Sequence, residues 1–252
     1  ITDVWADWAK TVKQAGGIDN FKKQVKGKKI LSVRRRAKYI IMDIEGAKTL
    51  FIHQKISGHL LYGKWSRFVP RYKVGADKSR ILDFVVPTKS ETKSGKLKNP
   101  IWVSDLPGPL RDDRQNGYIR FILYLSNGYQ LGLSDLRRFG KVILVDDGKV
   151  KDLKEISGLG PEPLEINFKT FEGLFGRKKG RLKQVLMDPK FIAGIGNIYA
   201  DEILWASGFH PLSRVENLNV HDLKKIYTNT IGILKKAIKH KGSSVDDYRI
   251  PS

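Results

Sequence analysis

Met187-Asp188-Pro189-Lys190-Phe191-Ile192-Ala193-Gly194-Ile195-Gly196-Asn197-Ile198-Tyr199-Ala200-Asp201-Glu202 reads as helix, glycine-rich turn, helix. The first helix, Arg181 to Met187, is stopped by Asp188-Pro189, because the residue before a proline is pushed out of the helical region. The second runs from Tyr199 to Ser207 and ends at Gly208. A third spans Val220 to His240, with Leu223, Ile226, Tyr227, Leu234 and Ile238 on one face. Asn219 is its expected N-cap, with Asp222 three residues on. Gly194 and Gly196 let the backbone approach something closely, and the amides opening the second helix favour an anion, with the Asn197 amide at the same spot. Taken alone, such a turn serves plain packing as often as ligand binding.

Upstream the periodicity changes. Ile30 to Arg35, Tyr39 to Ile44, Thr49 to His53, Ile119 to Leu125, Tyr129 to Leu133 and Val142 to Val145 are short β-branched and aromatic runs, hence strands. Glu45-Gly46 and Asn127-Gly128 sit where hairpins would reverse. Asp7 to Gln14 reads as a loop and Ile18 to Gln24 as a short helix. Between Trp65 and Asn116 the pattern dissolves, most completely over Thr88 to Pro100. A surface insertion is the reading there, with DNA contact by its lysines as a secondary one. Gly148 to Leu164 resembles an inter-domain linker. The expected class is α+β: an antiparallel β-sandwich or barrel over 1–150, a linker over 151–164, and a helical domain over 165–252. No internal repeat is visible.

Charge narrows the partners. Lys and Arg number 47 against 26 Asp and Glu, giving a net +21 and a pI near 10.0. So lopsided a surface repels itself unless a polyanion is its usual partner. Nucleic acid is favoured over an anionic membrane, since no basic amphipathic anchor, signal peptide or bilayer-length apolar run stands out. The 40% hydrophobic content is that of a globular protein. No cysteine is present, which excludes disulfides and any thiolate zinc site within these residues and suits a reducing compartment.

Three further segments carry chemistry. Ser134-Asp135-Leu136-Arg137-Arg138-Phe139-Gly140 puts two guanidiniums beside an aromatic ring on a loop. This is either a basic turn with Phe139 tucked into the core, or a duplex probe with forked donors and a wedge. In Arg34-Arg35-Arg36-Ala37-Lys38-Tyr39, strand alternation places Arg34, Arg36 and Lys38 on one face and Arg35 on the other; a solvated strand edge explains it equally. His53-Gln54-Lys55-Ile56-Ser57-Gly58-His59-Leu60 leaves a strand.

These segments resemble the formamidopyrimidine-DNA glycosylase (Fpg/Nei) family. The stretch Met187 to Pro211 looks like its helix–two-turn–helix, which implies that Asn197 holds a backbone phosphate beside the lesion. Ser134 to Gly140 is similar to an Asp-Pro-Arg-Arg-Phe-Gly loop, with Leu136 replacing the proline. The resemblance makes Arg137 the reader of the orphaned base, Arg138 a phosphate clamp and Phe139 an intercalating wedge. It makes Lys38 an assisting catalytic lysine and Lys178 a DNA-binding one. Ile56 stands where the family has a void-filling methionine; isoleucine is stiffer but similarly bulky. Tyr118 occupies the place of a family histidine, whose role is not carried over.

Family members begin with Pro-Glu, whose amine forms a Schiff base at the sugar C1′, and end in a four-cysteine zinc finger. This chain begins Ile1-Thr2-Asp3-Val4-Trp5, and Gly242 to Arg249 resembles the lead-in to that finger. Two readings follow. In one, the chain is a piece of a bacterial, nucleoid-associated, monomeric glycosylase and AP lyase that flips and excises oxidised purines such as 8-oxoguanine, acts on duplex DNA bearing such bases or abasic sites, and carries one structural zinc beyond these residues but no cofactor within them. In the other it is a non-catalytic binder of damaged or distorted DNA. The 252-residue polypeptide is expected to bind duplex DNA without forming a borohydride-trapped adduct on an abasic site. A trapped adduct would show that another amine, Lys38 first, serves as nucleophile. A Pro-Glu helix and a zinc finger added to its ends should confer strand cleavage; a rebuilt protein that binds but never cleaves would select the second reading.

Overall fold

The computed structural model describes residues 1–7, 9–13, 15–68, 101–106, 113–176, 178–240 and 242. Thr88 to Pro100, most of the 65–116 insertion, Arg177 and Ser243 to Arg249 lie outside them. The chain forms two units. One holds Ile1–Arg34 and Tyr39–Lys149; the other holds Arg35–Lys38 with the chain from Val150 onward.

In the first unit, β1 (Asp3–Ala6), β2 (Val12–Lys13), helix α1 (Ile18–Val25), β3 (Ile30–Arg36), β4 (Tyr39–Ile44), β5 (Lys48–His53), β6 (Gly58–Gly63), β7 (Trp65–Phe68), β8 (Ile101–Ser104), β9 (Ile119–Tyr124), β10 (Gln130–Asp135) and β11 (Lys141–Asp146) follow in order. They make a four-stranded sheet β1-β9-β10-β6, a five-stranded sheet β2-β11-β5-β4-β3, and a β7–β8 hairpin. β2 joins β11 in parallel over Val12↔Val142 and Lys13↔Ile143. The other ladders described run antiparallel, as the sequence predicts.

The period of 2 explains the core. Met42 and Ile44, Leu50 and Ile52, and Val142 and Leu144 come from one sheet; Phe121, Leu123 and Leu133 come from the other. All are buried in one cluster, closed by Phe21 and Val25 of α1. Phe21 meets Phe121 edge-on, with centroids 5.7 Å apart. Strands β1, β2 and β6 are not foreseen from the sequence, nor are β7 and β8, which fall inside the stretch read as a patternless insertion. Both ends of β6 are glycine and β2 spans only two residues, so neither shows an apolar period.

The second unit is helical: α2 (Lys154–Ser157), α3 (Phe168–Phe175), α4 (Leu182–Met187), α5 (Asn197–Ser207) and α6 (Val220–Lys239). Phe171 and Phe175 of α3, Leu186 of α4, Ile192 and Ile195 of the turn, Ile203 of α5 and Ile226 of α6 share its core. The sequence places α5 two residues late, since Gly196 is its N-cap. It reads α6 correctly. There Asn219 Oδ1 accepts from the Asp222 amide and the Asp222 carboxylate accepts from the Asn219 amide, both at 3.0 Å. Asn219→Ala should lower stability by about 1 kcal/mol. Chemical denaturation, with hydrogen exchange of the first turn of α6, checks this; unchanged values would mean that packing alone fixes the helix start.

Candidate functional site

In the first unit the Asp135–Gly140 loop is organised by one carboxylate. Asp135 is 1% exposed. Its Oδ2 accepts from the Gly140 amide at 2.6 Å, and its Oδ1 accepts from the Arg137 amide at 3.1 Å and the Ser57 hydroxyl at 2.6 Å. The Arg137 amide also reaches Ser57 Oγ at 3.3 Å. A burial cost that would otherwise be several kcal/mol is offset because both oxygens are hydrogen-bonded. Within the loop Arg138 adopts a left-handed φ of 57°. Such a conformation persists in a non-glycine residue only where surrounding contacts enforce it.

Outward presentation of Phe139 is the consequence. It is 49% exposed, which sets aside the core reading of this side chain. The Arg137 guanidinium lies 4.8 Å over its ring. Arg138 Nη2 lies 3.4 Å from Asp7 Oδ2, the carboxylate that also accepts from Arg120 at 2.9 Å.

The Ser57 bond ties a second loop to the first. Lys55 has a φ of 59°, and its amide donates to His53 Nδ1 at 2.8 Å. Gly58 is obligatory in this turn, because a Cβ there would stand 2.2 Å from the Gln54 carbonyl oxygen. At the turn's crest Ile56 is 75% exposed. Ile56, Arg138 and Phe139 line one groove. Solvent-exposed large apolar residues ringed by cations are unusual on a protein at rest and mark a contact surface.

In the second unit the deciding group is Glu162, only 6% exposed and within the segment read as a linker. Its Oε2 accepts from Arg35 at 2.8 Å; its Oε1 accepts from Arg36 at 2.9 Å and from the Ala37 amide at 2.6 Å. Arg36 also donates to the Gly160 carbonyl at 2.6 Å. The expected alternation therefore fails: the strand ends at Arg36, and Arg35 and Arg36 grip one carboxylate. Arg34, by contrast, pairs with Asp43 at 2.8 Å. Lys38 stands on the turn after Ala37, whose φ is 51°, rather than on a strand face.

Lys38 Nζ donates to the Ile195 carbonyl at 3.2 Å, within the glycine-rich turn. Gly196 leaves room for this approach: a Cβ there would stand 2.9 Å from Nζ and displace the lysine tip. The lysine ammonium thus meets the N-terminus of α5, whose first residue is the exposed Asn197. Both carry positive potential, so the place suits an anion. Lys178 pairs loosely with Asp188 at 3.4 Å and lies 5.4 Å from the Phe191 ring. Among the described residues no three His, Asp or Glu side chains converge as metal ligands, and the sequence has no cysteine. The described residues do not fit a structural zinc. No helix among them is long and apolar enough to cross a membrane.

Comparison with known proteins shows the family. The formamidopyrimidine-DNA glycosylase N-terminal domain matches residues 1–142, and the H2TH domain of the same glycosylase matches 159–249. The chain belongs to the formamidopyrimidine-DNA glycosylase family. Among relatives of that name, the one from Protochlamydia amoebophila is 31% identical over 232 residues, covering 91% of this chain and 66% of the relative. That from Chloroflexus aurantiacus is 30% identical over 246 residues, covering 96% and 70%. The chain thus spans about two thirds of the length of these relatives. In fold it is similar to Lactococcus lactis Fpg solved with abasic-site DNA, with TM-score 0.70, 24% identity, and 97% and 73% of the two chains covered. It is also similar to MutM solved with DNA containing carbocyclic 8-oxo-G, with TM-score 0.69, 25% identity, and 97% and 74% covered.

Burial of Glu162 favours its neutral form, but the Ala37 amide and then Arg36 and Arg35 outweigh that and hold its pKa below the usual 4.5. A carboxylate depressed in the folded state contributes stability above its unfolded pKa and loses it as pH falls through the folded value. Glu162→Gln should accordingly be less stable than the wild type at pH 7 by about 1–3 kcal/mol. The gap should close as pH falls below 4.5. Urea unfolding across that range is the measurement, and a pH-independent gap would contradict the pairing.

Proposed function

We propose that this chain holds and probes duplex DNA in the base-excision repair of oxidised purines, as a DNA glycosylase of its family. The observation that carries the reading is the pair of exposed apolar side chains, Phe139 and Ile56, raised on two loops joined through Asp135 and Ser57. On a protein of charge +21, exposed apolar groups ringed by cations suit insertion into an opened base stack. Phe139 is the wedge, Ile56 fills the space left by an everted nucleotide, and Arg137, held over the Phe139 ring, addresses the orphaned base. Arg138 and Lys178 hold phosphates, exchanging their present carboxylate partners for them. Asn197 takes a further phosphate at the start of α5. Lys38, fixed by the Ile195 carbonyl, supplies a cation beside that phosphate and assists at the sugar.

Eversion has a cost of a few kcal/mol, smaller at a damaged or abasic site, so groups that fill the void stabilise only the flipped complex. Phe139→Ala should reduce affinity for an abasic-site duplex about tenfold or more, with little loss on intact DNA. Arg137→Ala should also flatten any preference for the base opposite the lesion, by about 1–3 kcal/mol. Equal losses on both duplexes, with a lowered melting temperature, would make Phe139 structural and overturn the wedge. Arg138→Ala and Lys178→Ala should each weaken binding to both duplexes and make the log–log salt slope shallower by about 0.9. Unchanged slopes would place both side chains away from the backbone.

A further inference from the structure

Asp7 Oδ2 accepts from Arg120 Nη1 at 2.9 Å and lies 3.4 Å from Arg138 Nη2. The two contacts are unequal. Side-chain exposure is 13% for Arg120 and 15% for Asp7 but 33% for Arg138, so the inner pair is short and shielded while the outer one is long and open to solvent. Strand pairing builds the inner pair. β1 runs against β9 with Ala6 opposite Phe121, and the next amide, that of Asp7, donates to the Arg120 carbonyl at 3.0 Å. Arg120 also donates through Nε to the Asp135 carbonyl at 3.2 Å, the same oxygen that the Arg138 amide meets at 3.4 Å. One guanidinium thus ties Asp7 to the root of the loop that carries Arg138 and Phe139. Neither Asp7 nor Arg120 has a role in the reading above.

A cation that deserts a shielded carboxylate leaves a charge with neither a partner nor full hydration, which is costly. Here Arg138 can depart while Arg120 stays, so the carboxylate is never left alone. That is the condition for a contact that exchanges readily. We propose that Asp7 is a positioning residue, which holds Arg138 before DNA binds and competes with the incoming phosphate for it. Arg120 sets the strength of that competition, because it takes most of the carboxylate's charge at the shorter distance. A hold of this kind lowers affinity for every duplex to the same degree and leaves lesion preference to the wedge. The inference rests on Arg138 as a phosphate clamp and adds the residues that govern it.

The test compares the full chain with Asp7→Asn and Arg120→Gln, each alone and in an Arg138→Ala background. Affinity for intact and abasic-site duplexes is measured over a salt series, with a thermal melt of every variant. Asp7→Asn should bind both duplexes about two- to fivefold more tightly, since it removes a partly exposed ion pair that binding has to break. Arg120→Gln should bind both more weakly, again about two- to fivefold, because Asp7 then turns its whole charge on Arg138. Both effects should vanish in the Arg138→Ala background. The salt slope of each single variant should match the wild type, as neither changes the number of phosphates held. A merely structural role predicts losses in both variants; that result, or effects that persist without Arg138, would overturn the proposal. So would a slope steeper by about 0.9 in Asp7→Asn, which would mean that Arg120 had been released to a phosphate of its own. If Arg138→Ala itself leaves affinity and slope unchanged, the clamp reading fails and this inference with it. A weakened Arg138→Ala beside a neutral Asp7→Asn defeats this inference alone. Should Asp7→Asn melt early, the Asp7→Asn/Arg120→Gln variant, a neutral pair of similar shape, must still bind intact duplex more tightly than the wild type.

Discussion

The Asp135 carboxylate holds three hydrogen-bonding groups in place at once, the amides of Arg137 and Gly140 and the hydroxyl of Ser57, and through Ser57 the turn that carries Ile56. The group is almost fully buried and both oxygens are occupied. Removing one partner would therefore leave a charge without solvent to accept it. Because the loop is closed at both ends on one side chain, the residues between have little choice of conformation. Arg138 is forced into the left-handed region and Phe139 is turned outward. The exposed aromatic and the adjacent Arg137 are thus products of an internal clamp, which is how a loop can present an apolar group to a ligand without collapsing onto its own core.

Glu162 repeats the device in the second unit. A mostly buried carboxylate gathers Arg35, Arg36 and the Ala37 amide, and so sets the turn from which Lys38 reaches the Ile195 carbonyl. In a chain with nearly two basic residues for each acidic one, these two acids stand inside as scaffolding for the functional loops. The cations they leave over are those that face solvent, and these give the surface its affinity for phosphate. Charge thereby has two separate tasks: acids fix conformation, and bases meet the ligand.

Much of this was legible in the residues. Strands β4, β5, β9 and β11 announce themselves by β-branched runs between turn dipeptides, and α6 by its cap and apolar face. The segment around Gly194 to Asn197 and the Arg137-Arg138-Phe139 run led to the family, which the comparisons show. Helix α3 also carries a signal in its residues: Asn167 caps it by accepting from the Thr170 amide, and Phe168, Phe171 and Phe175 keep helical spacing. What could not be read was long-range pairing. Nothing local marks Glu162 among linker glutamates, and although Asp135 stands in the recognised loop and bonds the nearby Arg137 and Gly140 amides, nothing local shows that it also holds the Ser57 turn. Their roles depend on partners 78 residues away in one case and 125 to 127 in the other. For the same reason alternation misplaced Lys38, since the end of β3 is decided by Glu162 and not by the strand's own period.

The account is tested most directly at Asp135. Asp135→Asn keeps the shape but replaces one accepting oxygen with a donor facing donors, and so releases the loop at one end. Fluorescence of 2-aminopurine placed beside an abasic site reports unstacking as the protein binds. In a variant that still melts cooperatively and still binds intact duplex, the account predicts that this fluorescence rise is largely lost. A full wild-type rise from folded Asp135→Asn would contradict it, because the wedge would then be shown not to depend on the clamp.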